Sequence, residues 1–248
     1  MKKILCVIWF GIASMAQDTA TLDSRISVST LLREDIFAGF MANDIQRFER
    51  GERNIAKLLQ ERQTQRPELM AWKASTFVTR AVWAHEQNKE EEFTNHFRNA
   101  LVTFNEAQAM GGDKPNIGVM AIMGGTYAVF ADRLPEVYRK AAWLSAYRAY
   151  QSLWKVQAES VEKLPLHIKG ELLSGLALTA QRTGKTAELA EHLDRITTLL
   201  AGSPYEIAAR KWKENPQSAS NVRIACMTCH EGGRLEAVRA RTAKKVVN

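Results

Sequence analysis

From Thr30 to Asn215 apolar residues return at every third or fourth position with polar residues between them, and the strict alternation of a half-buried strand is almost absent. Phe48, Gly51, Ile55 and Leu58 form one such run, Phe97, Ala100, Phe104 and Ala107 a second, and Leu172, Leu173, Leu176 and Ala180 a third. This spacing gathers apolar side chains into one stripe along a helix. Breakers cut the stretch into pieces: the Gln65-Arg66-Pro67 corner, Gly111-Gly112-Asp113-Lys114-Pro115, Leu134-Pro135, Leu164-Pro165, Gly184 and Gly202-Ser203-Pro204. The pattern predicts helices over 30–46, 47–62, 68–87, 89–109, 117–131, 135–157, 166–183, 185–201 and 205–214. The expected fold class is all-α, and helices joined by loops this short run antiparallel, as hairpins.

The large-small offsets at Phe48 and Phe97 recur more loosely around Ala142 and Ala187, and Pro67, Pro115 and Pro165 fall at comparable intervals. Similar helices therefore return about every 40 to 50 residues. The run Phe97, Ala100, Phe104, Ala107 resembles the second helix of a tetratricopeptide repeat, in which a small residue lets the paired helix approach. The interval exceeds that family's 34 residues and its Trp-x-x-Leu-Gly start is not clearly present, so the resemblance is to helical-hairpin repeats in general. An α-solenoid with a concave groove and an irregular helical bundle both fit this pattern.

Composition narrows the class. The 248 residues are 46% hydrophobic and 25% charged with 14 Gly and 6 Pro, which suits a buried core and excludes a disordered or collagen-like chain. The formal charge of +7 favours an acidic partner. Three cysteines are placed unevenly, Cys6 near the start and Cys226 and Cys229 near the end. Residues 1–16, MKKILCVIWFGIASMA, carry a basic tip, an apolar run from Ile4 to Ala13 and small residues at Ser14 and Ala16. This is the plan of a bacterial secretory signal peptide, with cleavage expected after Ala16; an uncleaved anchor is the alternative. Cleavage removes Cys6, Lys2 and Lys3 and leaves 32 basic against 27 acidic residues, a formal +5, with one cysteine pair in the oxidising periplasm. No transmembrane span is expected after that cleavage. Export also argues against nucleic acid as the partner of a basic chain.

The domains expected are the signal at 1–16, a helical-repeat body at 17–215 and a C-terminal segment at 216–248. That segment contains Cys226-Met227-Thr228-Cys229-His230. In C-x-x-C-H, two thiols one helical turn apart can add to the two vinyl groups of a haem, and the following histidine is held beneath the iron. Competing uses fit less well. Zinc needs four ligands, and no further cysteine follows the leader. A thioredoxin-like pair belongs in an alternating strand-helix pattern, and a disulfide at this spacing closes a strained loop.

The segment thus resembles a c-type cytochrome over about its last 30 residues. The resemblance implies one covalent haem c on Cys226 and Cys229, with His230 as proximal iron ligand. The small class with an early motif takes its distal Met from downstream, but only 18 residues follow His230 and none is Met or His. FERGERNIAKLL at 48–59 is loosely similar to early helices of the cytochrome c′ class, although the body is too long for that fold alone. A distal ligand would have to come from the helical body. His85, His96 and His192 stand in polar contexts that suggest exposure. His167, at the start of the apolar run IKGELLSGLAL, is the candidate that could be presented to a neighbour. Met120 and Met123 share a helix face, and Gly124-Gly125 would admit a flat macrocycle; an open iron is the other choice.

The remaining features are structural in kind. Glu90, Glu91, Glu92 and Lys244-Lys245 read as solvated surface, and Trp72, Trp83, Trp143 and Trp154 as core. No catalytic residue is located. The expected function is electron transfer, with a redox partner protein docked on the helical hairpins; the alternative is an interaction scaffold whose haem is structural or senses a gas. Peroxidase-like chemistry would need a distal acid-base residue that the sequence does not place.

Overall fold

The computed structural model describes residues 32–112 and 114–217. Among the described residues every regular element is helical, so the fold class is all-α. The chain enters through a π-helical turn, Glu34–Ala38, that continues into a short α-helical turn, Gly39–Met41. Then follow α1 (Ile45–Glu61), α2 (Arg66–Glu86), α3 (Glu90–Ala109), α4 (Ile117–Phe130), α5 (Glu136–Gln157), α6 (Leu166–Arg182), α7 (Thr186–Leu199) and α8 (Pro204–Glu214), with 3₁₀ turns at Gln63–Gln65, Ala131–Arg133 and Ala158–Lys163.

The predicted breakers act where they stand. Pro67 lies in the first turn of α2 and Pro204 opens α8, positions where a missing N–H costs nothing. Asn116 accepts from Val119 N at 3.0 Å to cap α4, and Ser203 Oγ accepts from Glu206 N to cap α8. Gly184 and Gly202 take φ of +74° and +75° in the turns after α6 and α7, a region that penalises any Cβ. One boundary differs from expectation. The helix predicted over 30–46 ends at Met41, because Asn43 turns the chain at φ +54° and Asp44 caps α1 through Arg47 N. Asparagine tolerates that left-handed turn, so no Gly or Pro marks it.

Helices α2 and α3, α4 and α5, and α6 and α7 pack as successive hairpins, and α8 lies against α7. The hairpins begin about 50 residues apart, longer than a tetratricopeptide repeat. Helix α2 also packs on α4, and α5 on α6, so one core runs from Leu32 to Trp212. Helix α6 buries every residue from Leu172 to Ala180, which places it inside the stack. The expected stripes are the buried ones: Phe48, Gly51 and Ile55 on α1, and Phe97, Ala100, Phe104 and Ala107 on α3. Trp72 and Trp143 are buried, while Trp83 and Trp154 pack half-buried against the same core.

Polar contacts brace the stack. Asp132 accepts from Trp143 Nε1 of α5 at 2.7 Å and pairs with Arg182 Nη2 of α6 at 2.8 Å. Glu188 of α7 accepts from Tyr147 and Gln151 of α5. The entry turn is fixed by Asp35, which is 3% exposed and pairs with Arg50 Nη2 at 2.6 Å and Arg47 Nε at 3.5 Å. Its Phe37 and Phe40 pack edge-on against Phe130.

Candidate functional site

Cys226, Cys229 and His230 lie outside the described residues, as do the whole of the 1–16 leader and Lys244-Lys245. What the structure places is the set of upstream groups from which a distal ligand could come. Met120 and Met123 are buried in α4, and their face packs on the preceding hairpin: Gln108 of α3 donates to Met123 Sδ at 3.4 Å, and Tyr127, one turn further on, packs against Phe104. The space beside Gly124 is taken too. A Cβ there would stand 3.1 Å from Tyr150 Cε2 and 3.3 Å from Ala149 Cβ of α5. At Gly124 the small residue admits a neighbouring helix, and beside Gly125 no atom lies within 4 Å of a Cβ. The methionine pair is core.

The four histidines of the body differ sharply. His85 packs its ring beside Phe93, and His96 lies stacked on Phe77, both half-buried. Burial lowers the pKa of His96, and the Arg80 charge lowers it further. His167 occupies the first turn of α6, half-buried, as the Leu164-Pro165 corner predicts. His192 contradicts the sequence reading. It is 3% exposed, although Glu191 and Asp194 make its context polar. The reason is helical phase: His192 stands one turn before Ile196 and beside Leu193, so it falls on the face that α7 turns toward the core. That i, i+4 relation was the signal in the sequence.

Around His192 the structure builds a small cluster between α5 and α7. The Trp154 ring meets the imidazole edge-on with centroids 6.4 Å apart. Arg195 lies over the Trp154 ring at 4.4 Å from its centre, donates to Glu191, and approaches His192 Nδ1 with Nη1 at 3.4 Å. Burial, first, and the Arg195 charge, second, hold the imidazole below the usual histidine range, so it is neutral. Among the described residues His192 Nε2 has no hydrogen-bond partner, and it is buried. The acidic run Glu90, Glu91, Glu92 is exposed in the first turn of α3, where carboxylates favour the helix dipole.

Among the described residues no group of three or more His, Cys, Asp or Glu side chains converges as a metal site, and no helix is long and apolar enough to cross a membrane. No family model, curated protein or solved structure matches the chain.

Proposed function

We propose that this chain is an exported c-type cytochrome that carries one covalent haem and transfers electrons to or from an acidic protein partner in the periplasm. The observation that carries the reading is Cys226-Met227-Thr228-Cys229-His230, set behind a helical body and preceded by a secretory-type leader at 1–16. Cys226 and Cys229 hold the haem by thioethers and His230 ligates the iron on the proximal side. Bound haem supplies a one-electron couple whose potential follows its axial ligands and burial.

On the distal side the candidate in the body is His167, an imidazole in the first turn of α6. The hairpins supply the docking surface in this reading. Leu101 and Val102 of α3 and Val137 and Tyr138 of α5 are exposed on neighbouring hairpins, Val137 by 78%, and Tyr138 packs on Phe93 and Phe97. Apolar side chains left open in this way suit a transient protein contact.

The test is expression of the full chain with a c-type maturation system, followed by denaturation and staining for covalent haem. The expected product is a haem-stained band that has lost its leader, with staining abolished in Cys226→Ala and Cys229→Ala. A colourless mature protein overturns the proposal.

A further inference from the structure

We infer that α7 and α8 form an acid-released flap on the hairpin stack, with His192, buried between α5 and α7, as its trigger; this rests on the described fold alone and does not require the haem. A buried polar atom is ordinarily hydrogen-bonded, and one that is not regains a bond with water when its surroundings open. Among the described residues the buried side-chain atoms without a partner are Trp72 Nε1, Ser174 Oγ, Arg182 Nε, His192 Nε2 and Trp212 Nε1. Four of these five belong to α6, α7 and α8. Opening therefore recovers most at this end of the stack.

The hold on α7 is also the kind that water replaces. Toward α5 it rests on Glu188, which accepts from Tyr147 at 2.8 Å and from Gln151 at 3.0 Å, and on the edge-on contact of Trp154 with His192. Toward α8, Lys213 Nζ lies 2.5 Å from Asp194 Oδ1 at the surface. Within α7 only His192, Leu193 and Ile196 are buried, so one of its three buried positions is a titratable ring. Helix α6 is buried without a break from Leu172 to Ala180 and stays with the body.

The closed form has no place for a second ring proton. A charged imidazole carries two N–H donors. Here Nε2 has no acceptor, and Nδ1 faces Arg195 Nη1, itself a cation, at 3.4 Å. The charged groups that act on the ring are Arg195, Glu191 and Glu188, all on α7. Glu191 is engaged by Arg195, and Glu188 by Tyr147 and Gln151. From α5 the ring meets Trp154, with Arg148 and Lys155 exposed, and from α6 the uncharged stretch Leu172–Ala180. On α8, Glu206 pairs with Arg210 and Lys213 with Asp194, and Lys211 and Glu214 are exposed. Burial, then the Arg195 charge, keep the closed ring neutral, whereas an opened ring takes its proton near the ordinary value of about 6.5. The open form thus binds the proton more tightly. The closed form holds fully above about pH 6.5, and each unit below it favours opening by up to about tenfold.

The experiment is hydrogen exchange read by mass spectrometry on the full chain at about pH 7.5 and about pH 5, corrected for the intrinsic pH dependence of amide exchange. Protection of peptides from α7 and α8 is expected to fall about tenfold or more at the lower pH, while peptides from α2 and α3 keep theirs. His192→Phe, which fills the site without titrating, should remove that response, and His192→Gln, smaller and polar, guards against a phenylalanine that does not fit. His96→Gln should keep the α7–α8 response: His96 is also pushed down by burial, but it stands on α3 against Phe77. The inference is overturned if α7 and α8 stay protected at the lower pH, if the loss spreads equally over α2 and α3, or if either folded His192 variant responds as wild type does. Exchange in α7 and α8 and the denaturing haem stain are read separately, so the failure of one reading leaves the other standing.

Discussion

The sharpest prediction concerns Tyr150, whose ring enters edge-on from α5 between α4 and α6. On one side a Cβ at Gly175 would stand 2.1 Å from Cε1, 2.2 Å from Cζ and 2.7 Å from Cδ1; on the other, a Cβ at Gly124 would stand 3.1 Å from Cε2. The ring is 7% exposed and pinched between two glycines, so it cannot retreat from one without pressing on the other. Gly175→Ala gains about 1 kcal/mol of helix propensity. Against this stands overpacking, which costs about 1–3 kcal/mol in a close-packed core and lies at the upper end when the neighbour has no room to move. The expected net loss is about 2 kcal/mol, a fall in Tm of about 4–8 °C for a domain of this size.

Far-UV circular dichroism during thermal and urea unfolding measures this directly. Gly125→Ala is the matched control, one residue from Gly124 in the same helix, where a Cβ meets nothing within 4 Å. It should stabilise by about 0.5–1 kcal/mol, the opposite sign. Tyr150→Ala alone costs about 3–5 kcal/mol through the cavity it leaves. Combined with Gly175→Ala it should lose less than the sum of the two, by about 1 kcal/mol or more, because the clash has gone. A Gly175→Ala variant as stable as wild type, or strict additivity in the double variant, would refute the wedge.

Three further tests probe other joints. Asp35→Asn should destabilise by about 2–4 kcal/mol in urea unfolding, since it leaves Arg47 and Arg50 beside a buried group that no longer carries charge; a loss under 1 kcal/mol would show that the entry turn is held by its apolar residues alone. Asn116→Ala should cost about 1 kcal/mol by removing the acceptor for Val119 N at the start of α4, read as a lower urea midpoint with unchanged slope. Burial pushes the Tyr127 phenol up to about 12. Its folded pKa exceeds the unfolded value of about 10, so its contribution is complete below pH 10 and is lost as pH rises through 12, at no more than about 1.4 kcal/mol per unit. Tyr127→Phe should therefore flatten the alkaline limb of the stability profile between pH 10 and 12, and identical limbs for the two proteins would rule out a titrating phenol.

The residues that were legible in the sequence are those whose effect is local. Pro67, Pro165 and Gly184 act on their own backbone, and the helices begin or end beside them. The stripe Phe97, Ala100, Phe104, Ala107 is buried because phase along one helix fixes which side is apolar. The boundary at Asn43-Asp44 carries no Gly or Pro signal, because its turn uses a left-handed asparagine and an aspartate cap. The polar neighbours of His192 hide its phase with Ile196, and Gly124 announces a close approach without saying what approaches. Periodicity tells which face is buried and is silent on which face it meets. The Tyr150 wedge needs α4, α5 and α6 at once, and the His192 cluster needs α5 and α7. The motif Cys226-Met227-Thr228-Cys229-His230 is the reverse case: its five residues suggest their chemistry by covalent spacing alone, with no appeal to which helices meet, and that is why it carries the proposal that covalent haem staining tests.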